Sequence, residues 1–281
     1  HRGHQAILTK LVEDSRNLNL PNVVMTFDPV PKKVLSPETA PPLIQTLEQR
    51  LEAFERLGVD STIVVVFDLD FARKSPQDFV KEYLIDLLQV HTFVVSGNFA
   101  FGYKKQGNIT LLKQMGTQYG FNVDCMDAIQ DGGSRISSTL IRGEIQDGQI
   151  EKALIHLGHP FALRGSIVKG EQLGGKIGIP TANLQVKNEL LPARGVYACR
   201  AIFEKHSFPS AVNVGYRPTV GGKNLTVEAH LIGFSGELYG KEMELQFFHR
   251  IREEKQFAGI DALRNQILAD INAARLYLES M

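Results

Sequence analysis

His1 and His4 stand three residues apart in His1-Arg2-Gly3-His4, a spacing that on the first turn of a helix puts both imidazoles on one face. Gly3 between them leaves the backbone open to a nucleotide, and a helix N-terminus offers N–H groups and the positive end of its dipole to a phosphate. Further along, Arg135-Ile136-Ser137-Ser138-Thr139-Leu140-Ile141-Arg142 sets the hydroxyls of Ser138 and Thr139 between two guanidinium groups. Ser138 and Thr139 are expected to cap a helix, with Arg142 on the same side as Thr139. Alone, His-x-Gly-His has modest specificity, and two surface histidines would account for it. A plain cap does not account for arginines at both ends. Such a set suits attack by one substrate's phosphate on the α-phosphate of a nucleoside triphosphate. That chemistry needs no protein nucleophile, only orientation and stabilisation of spreading negative charge.

A second set follows. Gly165, Gly170, Gly174, Gly175 and Gly178 lead into Ile179-Pro180-Thr181-Ala182-Asn183, so a side-chain-poor approach ends in a hydroxyl and an amide on a rigid proline turn. In an extended segment Thr181 and Asn183 share a face. Their oxygens suit Mg²⁺ and the phosphates it bridges, with Gly170 and Gly178 giving the phosphates room. Glu228, in Val227-Glu228-Ala229-His230-Leu231, sits in a strand-like run, and alternation alone leaves open which face it takes. Facing the Thr181 cluster, it could take a proton from a hydroxyl attacking a γ-phosphate. One triphosphate site needs only one set, so two active sites are expected.

The elements that must position these groups change character midway. In the first half, β-rich runs at 22–27, 61–67, 92–96 and 121–126 alternate with segments of helical spacing, such as Leu43, Leu47, Leu51, Phe54 and Leu57. That pattern predicts a Rossmann-like α/β domain with a parallel sheet. A helix is expected over 75–88, with Ser75 as cap, Pro76 in the first position and Asp78 in the first turn. Another, over 149–157, ends at Gly158 with Pro160 beyond it and marks a domain boundary. The domains expected are therefore 1–158 and 159–281. In the second, strand-like runs at 161–169, 195–203, 211–215, 225–232 and 243–251 read as a small antiparallel barrel without intervening helices. Ile260, Leu263, Ile267, Ile271, Ala274 and Leu278 then predict a terminal helix packed through one apolar stripe.

Composition narrows the partners. Lysine plus arginine equals aspartate plus glutamate at 31 each, so no overall field draws the chain to nucleic acid. The apolar runs fall well short of the roughly 20 residues that cross a bilayer, and nothing within the sequence reads as a secretion signal. Cys125 and Cys199 lie in separate strand-like runs and read as buried free thiols, which fits a reducing cytoplasm. The chain opens inside a motif, so a strand is expected ahead of it. Self-association is not readable from the sequence.

Both sets, in this order and at this separation, resemble the bacterial bifunctional riboflavin kinase/FMN adenylyltransferase (FAD synthetase) family over essentially the whole chain. Thr26-Phe27-Asp28-Pro29, Ser96-Gly97-Asn98-Phe99-Ala100-Phe101-Gly102, Asn213-Val214-Gly215-Tyr216-Arg217-Pro218-Thr219 and Leu238-Tyr239-Gly240-Lys241 agree with it. The resemblance implies a nucleotidyltransferase domain followed by a barrel kinase. ATP and riboflavin would give FMN in the barrel, and a second ATP would adenylylate FMN to FAD in the α/β domain. Glu228 would be the kinase's base, and Thr181 and Asn183 would hold Mg²⁺ and ATP phosphates. His1, His4, Arg135, Ser138, Thr139 and Arg142 would bind the triphosphate of adenylyl transfer, and Asn98 and Phe101 the flavin there, Phe101 by stacking. Val30 stands where the family usually has histidine, which removes one polar contact. A cytidylyltransferase-like enzyme would explain the first half alone. A class I aminoacyl-tRNA synthetase would share His-x-Gly-His but needs a lysine-rich second motif that is not visible. A flavin-sensing protein with degraded sites is opposed in the kinase half by Thr181, Asn183 and Glu228.

Overall fold

A computed structural model describes residues 1–170, 175, 178–219 and 222–281, with only the backbone described at 216–219 and 222–224. Gly174 lies outside the described residues. The chain divides into two compact units, one of His1–Pro42 and Leu47–Ile136, the other of Leu43–Thr46 and Ser137–Met281.

The first unit runs α1 (Arg2–Leu18), β1 (Val23–Phe27), α2 (Pro31–Leu35), α3 (Leu47–Arg56), β2 (Ser61–Val65), α4 (Leu69–Ala72), α5 (Pro76–Phe79), β3 (Thr92–Ser96), α6 (Ile109–Tyr119), β4 (Asn122–Met126), and a short hairpin of β5 (Gln130–Asp131) and β6 (Ser134–Arg135). β1 pairs in parallel with β2, Val23 opposite Ser61, and β3 with β4, Thr92 opposite Asn122. The parallel α/β architecture agrees with the alternating periodicities, in two two-stranded ladders rather than one continuous sheet. Phe79, Val80, Leu84, Val95, Phe101, Leu112, Met115 and Phe121 form its core.

α5 begins as the sequence predicts, with Ser75 Oγ accepting from the Asp78 N–H at 3.0 Å and Pro76 in the first turn. Its continuation differs: Val80–Leu87 is wound as a π-helix, and the Leu88 N–H reaches back five residues to Tyr83 O at 3.1 Å. The spacings Phe79 to Tyr83 and Val80 to Leu84 fit either winding, so periodicity alone reads them as α. Cys125 also departs from expectation. It is exposed because it lies past Val123, the part of β4 that packs on the core. Cys199 is fully buried, and burial raises its thiol pKa well above the ordinary value.

The second unit opens with α7 (Ser138–Gln146) and α8 (Ile150–Leu157), which ends at Gly158 in the left-handed conformation (φ 75°). Then come β7 (Phe161–Val168), β8 (Ala182–Val186), β9 (Gly195–Phe203), β10 (His206–Thr219), β11 (Gly222–Leu231), β12 (Glu242–Arg252) and α9 (Ile260–Glu279). The strands close into a barrel in the order β10-β11-β8-β7-β12-β9. β8 is additional to the five runs predicted from sequence. Side chains alternate along each strand, so Leu163, Leu184, Val212, Val214, Val227, Ala229 and Leu245 fill the interior. At Gly165 the strands approach so closely that a Cβ would overlap the Gln185 carbonyl and lie 2.7 Å from its carbon. α9 packs on β9, β10 and β12 through Ala274 and Leu278, while Ile260, at the start of the predicted stripe, is 68% exposed.

Candidate active sites

His1 caps α1, its Nδ1 accepting from the His4 N–H at 3.3 Å, and the two rings stack with centroids 3.9 Å apart. Gly3 leaves that stack room, since a Cβ there would sit 3.1 Å from the His1 ring, a tight contact. No acidic side chain occupies the first turn of α1, so its N–H groups and dipole face no local anion. His4 keeps exposed surface, yet the protein around it displaces enough water to lower its pKa to about 4. It is therefore neutral at pH 7, and its ring offers a hydrogen-bond donor rather than a positive charge.

Asn98 and Arg135, 37 residues apart, are brought together: Asn98 Oδ1 accepts from Arg135 Nη2 at 2.8 Å and from Ser96 Oγ at 3.0 Å. Asn98 follows the carboxyl end of β3, where open α/β sheets place ligands. Phe101 is different. It is 7% exposed, stacked on Phe99 (5.4 Å) and tilted against Phe79 (5.6 Å), so little of its ring is left for a flavin.

In the second unit, Ser137 caps α7, its Oγ accepting from the Leu140 N–H at 3.3 Å. This corrects the expectation that Ser138 and Thr139 serve as the cap. Both lie in the first turn, which holds no acidic residue, and Arg142 lies one turn on, its guanidinium pKa lowered by burial.

Three polar residues of the barrel fall into one row. Asn183 on β8 lies opposite Glu228 on β11, and Glu228 lies opposite Asn213 on β10. Directly opposed residues point to the same side of a sheet, and each is flanked along its strand by buried residues that point inward. Glu228 therefore shares the outer face with Asn183. Gly170 abuts the Asn183 amide, where a Cβ would come within 2.6 Å of Cγ. Gly178 instead adopts a left-handed φ of 78°, with nothing among the described residues within 4 Å of where a Cβ would stand. His230 Nδ1 donates to the Pro180 carbonyl at 2.8 Å and ties the turn before Thr181 to the strand that carries Glu228.

Sequence reasoning did not single out Asn213 or His230 as site residues. The signal for His230 was its i+2 spacing from Glu228; Asn213 opens the Asn213–Thr219 stretch that agrees with the family, and the register places it beside Glu228. Thr181 and Asn183 offer neutral oxygens, the donor chemistry of a hard divalent cation. Among the described residues no cluster of three His, Cys, Asp or Glu could hold a metal unaided.

Two family models match the chain: FAD synthetase over residues 1–140 and riboflavin kinase over 157–278. The bifunctional riboflavin kinase/FMN adenylyltransferase of Escherichia coli (strain K12) is 37% identical, covering 98% of this chain and 88% of its own length. That of Haemophilus influenzae is 34% identical, covering 100% and 91%. A crystal structure titled macrolide-efflux protein, from Streptococcus pneumoniae, superposes with a TM-score of 0.88 at 29% identity, covering 98% of this chain and 90% of that one. Among the described residues no helix is long and apolar enough to cross a membrane. Kinases and adenylyltransferases of these families generally use a divalent metal. A parallel α/β unit with paired histidines, a closed barrel with an Asn–Glu–Asn row, and full-length likeness to both halves lead to one conclusion: the chain belongs to the bifunctional riboflavin kinase/FMN adenylyltransferase family.

Proposed function

We propose that this chain phosphorylates riboflavin to FMN with one ATP and adenylylates FMN with a second ATP, giving FAD and pyrophosphate. The observation that carries the first step is the register that sets Glu228 beside Asn183. Glu228 takes the proton of the ribityl hydroxyl as its oxygen attacks the γ-phosphorus, and ADP leaves. Thr181 and Asn183 orient the phosphates, Gly170 and Gly178 leave them room, and His230 holds the turn. Mg²⁺, bound with ATP, would neutralise developing phosphate charge.

In the second step the FMN phosphate attacks the α-phosphorus of ATP and pyrophosphate departs. His1, His4 and Arg135, and by motif Ser138, Thr139 and Arg142, stabilise that charge. Asn98 contacts the flavin, and Phe101 supports the wall behind it. In function, though not in packing, we place the division at Gly158, with 1–158 the adenylyltransferase and 159–281 the kinase. The unpaired thiols fit a cytoplasmic setting.

Incubation with riboflavin, ATP and Mg²⁺ should yield FMN and then FAD, resolved by chromatography. Detection of neither product overturns the enzyme reading, and FMN alone restricts it to the kinase. Arg135→Ala is expected to slow FMN-to-FAD conversion about 10- to 100-fold, the worth of one charge-assisted contact, with riboflavin phosphorylation unchanged in initial-rate assays. Gly170→Ala should do the reverse. Its methyl displaces the Asn183 amide, and kinase kcat/KM should fall by about tenfold or more while supplied FMN is still converted.

A further inference from the structure

The packing division runs between Ile136 and Ser137, inside the 135–142 run that the functional reading assigns to adenylyl transfer. α7, with Ser138, Thr139 and Arg142, is built into the same compact unit as the barrel, and four ties hold it there. The Ile145 carbonyl at its end accepts from the Ala193 N–H, just before β9, at 3.1 Å. Glu144 takes both its bonds from His156 Nδ1 (2.8 and 3.0 Å), which locks α7 against α8. Glu151 on α8 accepts from His249 Nδ1 and from the Arg250 N–H (3.4 Å) on β12. Leu154 joins Ala198, Ala211, Phe248, Ala274 and Leu278 in one apolar cluster.

Arg250 is the centre of this junction. Its Nη2 donates to the Arg194 carbonyl at 2.7 Å, and its side chain runs along the α7–α8 turn. There Gly148 has φ 74°, and a Cβ on it would lie 2.9 Å from Arg250 Cδ and Nε. Among the described residues Arg250 Nε is buried without an acceptor, so the side chain is held by its Nη2 bond together with packing against this turn. The Asn183–Glu228–Asn213 row is not among these contacts.

We propose that the kinase barrel is the mount for α7, and that Arg250 is a positioning residue for adenylyl transfer, acting through Gly148 and Glu151 on the angle of the α7–α8 turn. The inference rests on the functional reading above. A barrel residue is then needed for the reaction the barrel does not perform.

The test assays both half-reactions on full-length Arg250→Met, Arg250→Lys and Glu151→Gln, with thermal unfolding of each. Arg250→Met should lower kcat/KM for FMN adenylylation about tenfold, mainly through KM for ATP, and leave riboflavin phosphorylation within about twofold. Arg250→Lys, which still reaches the Arg194 carbonyl, should recover most of that loss. Should Arg250→Met fail to fold, Glu151→Gln loosens the same junction and should show the same selectivity. Parallel loss of both reactions, or unchanged FAD formation in the folded variants, overturns the proposal. Wild-type protein that makes no FAD overturns the functional reading with it, whereas equal FAD formation by wild type and variants overturns this inference alone.

Discussion

Glu228→Gln is expected to abolish measurable FMN formation while conversion of supplied FMN to FAD continues at the wild-type rate. The substitution keeps size and hydrogen-bonding capacity but removes the group that accepts the substrate proton, an effect worth about 10²- to 10⁴-fold. Selectivity follows from placement. Glu228 lies at the centre of the row between Asn183 and Asn213, on strands of the barrel, and its neighbours Val227 and Ala229 already fill the interior. The variant should therefore fold normally. Separate initial rates for the two half-reactions are the measurement, and a folded variant that loses both would contradict the assignment of the base.

Asp270→Ala should cost about 3–5 kcal/mol, because it strands the Arg252 guanidinium in a buried setting. Arg252 Nε donates to both Asp270 oxygens (2.9 and 3.0 Å) and Nη2 adds a third bond at 2.7 Å, while Gln266 Nε2 donates to Oδ1 at 2.8 Å. The two side chains are 14% and 4% exposed, so solvent does little to screen the pair. The bond set fastens α9 to β12. Urea unfolding followed by far-UV circular dichroism should show an earlier transition for the second unit. The double replacement Arg252→Met with Asp270→Leu should recover most of the loss, since an apolar pair of similar volume avoids the unpaired charge. A single Asp270→Ala variant as stable as wild type would contradict this account of how α9 is held.

What the sequence made legible was local. Ser75 with Pro76 and Asp78 marked the start of α5, Gly158 marked the end of α8, and β-branched runs placed four parallel strands, because each signal is read from neighbouring residues. Features that depend on pairing were not legible. β8 is short and follows a glycine- and proline-rich stretch, so it carried little strand signal, yet it supplies the register that joins Asn183 to Glu228. Phe101 reads as an open aromatic until the packing of Phe99 and Phe79 is known. Ser137, Ser138 and Thr139 offer three adjacent caps, and only backbone geometry selects Ser137. Asp270 carries no local signal, because its partner lies on a strand 18 residues away.

Two separate ATP-dependent activities in one chain leave different phosphorus atoms of ATP in the flavin products. Riboflavin and unlabelled ATP are supplied with a trace of ATP labelled either at the γ- or at the α-phosphorus, and the flavins are separated. γ-Label is expected in FMN and in the FAD made from it, and α-label in FAD alone. Flavin products that never acquire α-label would contradict the adenylyltransferase, and products that never acquire γ-label would contradict the kinase.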